Sequence, residues 1–119
     1  MAHICMSNKK TLKVVFFRQE SEREPVRDWL TGLSRDDRKT IGYHIKLVEE
    51  GWPIGMPLVR KMQKGLREVR VDVSNGRIAR IFFTVKDDRM VLLHGFVKKS
   101  QKTPKKEIDL ANKRMKGLS

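Results

Sequence analysis

The chain has 119 residues, 39% of them hydrophobic, and carries 27 Lys and Arg against 14 Asp and Glu, a formal charge of +13. That length suits one domain and excludes a large multi-layered enzyme, while a lone cysteine, Cys5, excludes a disulfide scaffold. No run approaches the roughly 20 apolar residues that span a bilayer and no signal-peptide core opens the chain, so a soluble, cytoplasmic protein without membrane contact is expected.

Residues 1–10 show no periodicity and are expected to form a flexible tail ahead of a domain over residues 11–119. Leu12 to Phe17 is β-branched and aromatic, which predicts a first strand. Pro25 suits the first turn of a helix, and Val26, Trp29, Leu30 and Leu33 supply its apolar stripe. Ser34 then reads as the N-cap of a second helix, with Asp36 and Asp37 placed well against the helix dipole. Ile41, Ile45 and Val48 carry that helix to Gly51, and the short break between the two helices predicts an antiparallel pair.

The segment from Gly51 to Pro57 is rich in breakers and reads as a loop. From Glu68 to Val73 the period becomes two, with Val69, Val71 and Val73 on one face and Glu68, Arg70 and Asp72 on the other. Ser74-Asn75-Gly76 signals a hairpin, Arg77 to Val85 returns, Asp87-Asp88 turns again, and Met90 to Val97 is a third strand. Thr103 is expected to cap a last helix that has Pro104 at its first position and Ile108, Ala111, Met115 and Leu118 as its stripe. The order predicts an α+β fold: an N-terminal strand and helical hairpin, a three-stranded antiparallel meander and a C-terminal helix, with the helices on one side of the sheet.

The charge is uneven. Residues 1–59 hold 10 bases and 8 acids, whereas residues 60–119 hold 17 bases and 6 acids. Two stretches are dense: Arg60, Lys61, Lys64, Arg67 and Arg70 around the single acid Glu68, and Lys98, Lys99, Lys102, Lys105 and Lys106 with no acid. Each phosphate neutralised by such a surface releases condensed counterions, so a nucleic acid is the expected partner, ahead of an acidic protein or a membrane surface.

No metal or cofactor is expected, because His3, His44, His94 and Cys5 lack ligand spacing and no glycine-rich phosphate loop is present. The strands are more informative. Arg70 projects opposite the valines, while Arg80 alternates with Ile78 and Phe82 on a mixed face. His94 and Phe96 share a face that Lys98 continues. An arginine or lysine can stabilise charge developing on a phosphodiester, a histidine or lysine can move a proton at a ribose 2′-hydroxyl, and an aromatic ring can stack a base. Each residue also has a plainer reading: Glu68 and Asp72 as ion-pair partners of Arg70, His94 and Phe96 as core.

Three blocks carry a family pattern: Gly65-Leu66-Arg67-Glu68-Val69-Arg70, Gly76-Arg77-Ile78-Ala79-Arg80-Ile81-Phe82-Phe83, and Leu92-Leu93-His94-Gly95-Phe96-Val97-Lys98-Lys99-Ser100-Gln101-Lys102-Thr103-Pro104. From about Leu12 to Met115 the chain resembles the RelE/ParE superfamily of bacterial toxins, in its phage-derived, HigB-like branch. The resemblance implies a type II toxin–antitoxin toxin, a metal-independent endoribonuclease that cuts mRNA at the ribosome. It also implies neutralisation by an antitoxin, expected to be a helix-turn-helix protein. It places Arg70 at a phosphate-contacting position, Lys98 and Lys99 near the basic catalytic position, and Lys61 and Lys64 among basic residues before the strand of Arg70, with His94 characteristic of the branch. Together with the strand reading, the candidate catalytic residues are Arg70, Arg80, His94 and Lys98, and the candidate RNA-binding residues are Lys61, Lys64, Arg77, Phe96, Lys99 and Lys102. The C-terminal tyrosine of some relatives has no counterpart, since Tyr43 is the only tyrosine. His94 is therefore the first candidate for the general base and Lys98 the second. Two other readings are a non-enzymatic DNA gyrase poison of the ParE type and a nucleic-acid-binding module that has lost catalysis.

Overall fold

The computed structural model describes residues 12–100 and 102–118, so the expected tail lies outside the described residues. Its strands are β1 (Lys13–Phe16), β2 (Val59–Gln63), β3 (Leu66–Val73), β4 (Arg77–Lys86) and β5 (Arg89–Lys98), and its helices α1 (Pro25–Thr31), α2 (Arg35–Gly51) and α3 (Lys105–Lys116). The α+β fold is as predicted, but the sheet is larger. Its order is β1-β5-β4-β3-β2, with β1 parallel to β5 and every other pairing antiparallel. The meander thus has four strands rather than three. β2 hides in the sequence because it is an edge strand: only Val59 is buried, so no alternation is needed.

The helices also do not share one side. Val26, Ile41, Ile45 and Val48 from α1 and α2 pack on Val69, Val71, Ala79, Ile81, Phe83 and Leu92. On the opposite face α3 sets Ala111, with Ile108 and Met115, against Leu66, Phe82, Leu93 and Phe96. Burial on both faces explains the unbroken apolar runs Ile81-Phe82-Phe83 and Leu92-Leu93 in the two central strands.

Several local signals act as read. Ser34 caps α2 by accepting from the Asp37 backbone N–H at 3.2 Å, and Pro25 opens α1. Asn75 (φ 62°) and Gly76 (φ 68°) take the left-handed conformation of a tight hairpin turn. Gly95 has a packing reason: a Cβ there would lie 2.4 Å from the Trp29 ring, so the indole occupies the place of a side chain on β5.

One expected contact differs. Pro104, not Thr103, is the cap residue of α3, and no side-chain hydrogen bond caps that helix. The Thr103 hydroxyl instead donates to Glu68 Oε2 at 3.0 Å.

Candidate functional site

Strand register sorts the predicted residues into rows on the face covered by α3. Asp72, Ile78 and Lys98 form one row, Arg70, Arg80 and Phe96 the next, and Glu68, Phe82 and His94 the third. Arg60 extends the third row onto β2, where it opposes Glu68. Arg70 and Lys98 are half-buried, and Arg60, Lys99 and Lys102 are exposed. Two open clefts flank this array. One, of about 380 Å³, is lined by Arg60, Met62, Lys102, Thr103 and Ile108. The other, of about 420 Å³, lies beside β3 and is lined by His44, Pro57, Leu58, Arg70 and Asp72.

Arg80 is not on the surface. Its side chain is fully buried, with Nη1 3.4 Å from both Glu68 carboxylate oxygens and 3.0 Å from the Thr103 hydroxyl. Its Nη2 donates to the Ser100 carbonyl at 3.1 Å. This buried network ties residues 100 and 103 to the middle of the sheet and sets where Lys98, Lys99 and Lys102 stand. Arg80 therefore positions the basic segment rather than touching a substrate, and Glu68 pairs with it instead of with Arg70.

Phe96 is likewise buried, and His94 is half-buried against α3. His94 Nε2 is 2.5 Å from Glu107 Oε1 on α3, and the imidazole stacks with Phe82 and Phe96 at centroid distances of 6.3 and 5.7 Å. Phe96 is 8% exposed, so its ring is packing and not an open platform for a base. His94 also stands apart from Arg70. The two residues lie two strands apart and one row apart, which is about 12 Å between Cα atoms by strand geometry.

Arg77 and Lys61 fall on the other face. Arg77 Nη2 donates to Asp37 Oδ2 on α2 at 2.7 Å, so that guanidinium is a fastener between helix and sheet. Hydrogen bonding from the Ser74 backbone N–H, then from its hydroxyl, holds the Asp37 carboxyl below its ordinary range despite burial, and Arg77 adds to this. Lys61 opposes Arg67, whose guanidinium stacks over Trp52 at 4.9 Å on the helical-hairpin side. Lys64 sits exposed in the turn between β2 and β3.

The cations gathered around the α3 face are thus Arg60, Arg70, Lys98, Lys99 and Lys102. Arg60 and His44 carry no spacing signal that marks them as site residues. Arg60 could be assigned only once β2 was a strand, and His44 reads as one more residue beside the α2 stripe. Among the described residues no group of three or more His, Cys, Asp or Glu is placed to hold a metal ion. No helix among them is long and apolar enough to cross a membrane.

A family model described as Phage derived protein Gp49-like (DUF891) matches residues 28–116, which include the whole sheet except β1 and most of all three helices. No curated protein sequence matches the chain.

Proposed function

The chain belongs to the Gp49-like phage-derived family, a RelE/ParE-like toxin family, and from that premise we propose that it is the mRNA-cleaving toxin of a type II toxin–antitoxin pair, in the HigB-like branch. The observation that carries the nuclease reading is the group of cations near the α3 face, the exposed Arg60, Lys99 and Lys102 and the half-buried Lys98, around the half-buried Arg70, which lines a cleft. An RNA backbone crossing that face meets the guanidinium groups of Arg60 and Arg70 and the ammonium groups of Lys98, Lys99 and Lys102.

The reaction is an internal transesterification. The ribose 2′-hydroxyl attacks the adjacent phosphorus, the bond to O5′ breaks, and the products are a 2′,3′-cyclic phosphate and a free 5′-hydroxyl. Arg70 binds the phosphate and stabilises the charge that builds on its oxygens. Lys98, beyond Ile78 on the neighbouring row, holds the flanking phosphate with Lys99 and Lys102. Arg80 and His94 act from beneath, Arg80 by fixing the segment after β5 and His94 by locking α3 to the sheet through Glu107. The partners are mRNA at the ribosome and an antitoxin of helix-turn-helix type, expressed in the cytoplasm.

Brief induction in a growing culture, followed by primer extension on abundant transcripts, tests this reading. Growth arrest with discrete new 5′ ends, absent in Arg70→Ala, supports it. Intact transcripts with a DNA-damage response instead identify a gyrase poison.

A further inference from the structure

Arg70 does not share its cleft with His94 or Lys98; it shares it with a different histidine. β2 stops pairing at Val59, just past which the Arg70 N–H donates to the Leu58 carbonyl at 3.3 Å. Beyond that point β3 has no paired strand on this side among the described residues. α2 packs across it, and His44, next to the buried Ile45, stands at the margin of the helix's apolar face. His44, Arg70 and Asp72 thereby line one cleft of about 420 Å³ walled by Pro57 and Leu58. That volume lies within the range of small-ligand sites.

We propose that this cleft receives the scissile phosphodiester of an RNA and that His44 is the general base of its cleavage. The inference rests on the ribonuclease reading above and assigns the proton acceptor which that reading lacks. His44 Nδ1 lies 2.8 Å from the Thr40 carbonyl. A carbonyl only accepts, so Nδ1 carries the proton, and in the neutral ring Nε2 holds the lone pair. The helix therefore presets the tautomer that a base needs. His94 has the opposite arrangement, with Nε2 committed to Glu107 and the ring stacked inside the domain.

The step balances within the cleft. His44 Nε2 takes the 2′-hydroxyl proton as O2′ bonds to phosphorus. The phosphorus–O5′ bond breaks, its electron pair stays on O5′, and O5′ takes a proton from water. Arg70 neutralises the equatorial oxygens, and the Asp72 carboxylate stabilises the imidazolium until it returns its proton to solvent. Nothing is oxidised, and no metal is consumed or required.

The test uses the whole chain, purified, with ribosomes programmed with end-labelled mRNA, under single-turnover conditions. Wild type is compared with His44→Ala and His44→Gln, and thermal unfolding is recorded for each. Cleavage by His44→Ala is expected to slow by about 100-fold or more, the range of general acid–base catalysis, with an unchanged thermal midpoint. Free imidazole should restore part of the rate to His44→Ala, whose cavity admits the ring, and none to His44→Gln. Wild-type rates in both variants would overturn the proposal while leaving the ribonuclease reading standing. A rate loss that follows a lowered thermal midpoint and resists imidazole also overturns it, since His44 would then only hold α2 in place. If the wild type leaves the mRNA whole, the ribonuclease reading fails and this inference fails with it.

Discussion

Replacing Arg80 by alanine separates a buried fastener from a catalytic cation. The substitution removes two contacts to Glu68, one to Thr103 and one to Ser100, and strands the Glu68 carboxylate in the interior with the Thr103 hydroxyl beside it. Breaking a buried ion pair on one side costs about 3–5 kcal/mol, because the surviving charge keeps its desolvation penalty. The 3.4 Å separations from Glu68 exceed the ~2.7–2.9 Å of strong charge-assisted bonds, which favours the lower end, about 3 kcal/mol. In a domain of this size a loss of that order lowers Tm by about 12–15 °C. Urea and thermal unfolding of the purified chain measure it. The double variant Glu68→Leu/Arg80→Met removes both charges and should recover most of the stability, since apolar replacement of a buried pair is often neutral. An Arg80→Ala chain within about 1 kcal/mol of wild type would refute the network's structural role. A stable double variant that cleaves RNA at the wild-type rate would show that Arg80 neither acts on the substrate nor is needed to place the segment after β5.

Other consequences are simpler. Gly95→Ala drives a Cβ into the Trp29 ring and should destabilise by about 1–3 kcal/mol, read as a lower urea midpoint. Asp37 has a lowered folded-state pKa, so its contribution is present above the unfolded value near pH 4 and is lost as pH falls through the folded one. Stability measured from pH 5 down to pH 2 should therefore fall more steeply in wild type than in Asp37→Asn, and equal slopes would contradict the Ser74 and Arg77 contacts. Ser34→Ala removes the α2 cap and should cost about 1 kcal/mol in the same assay.

Much of the architecture could be read in advance wherever a local rule acts alone. The Ser34 cap, the Asn75-Gly76 turn and the valine alternation of β3 are of this kind, since each depends on a few neighbouring residues. The errors share one cause, which is packing between elements distant in sequence. Arg80 alternates with apolar residues on a strand and looks like a surface cation until α3 and the segment before it cover that face. Thr103 has the composition of a cap, but Glu68, 35 residues away, claims its hydroxyl. β2 carries too little burial to show any period. That His44 and Arg70 line one cleft follows from α2 packing across β3, which no spacing within either element encodes.

If the fold cuts RNA by attack of the 2′-hydroxyl, as proposed, the chemistry of the new ends reveals it. Fragments released from ribosome-bound mRNA by the purified chain should have a free 5′-hydroxyl, so that polynucleotide kinase labels them without prior phosphatase treatment. Arg70→Ala should release none. Downstream fragments that label only after phosphatase treatment, and hence carry 5′-phosphates, or an mRNA that stays intact, would contradict the account.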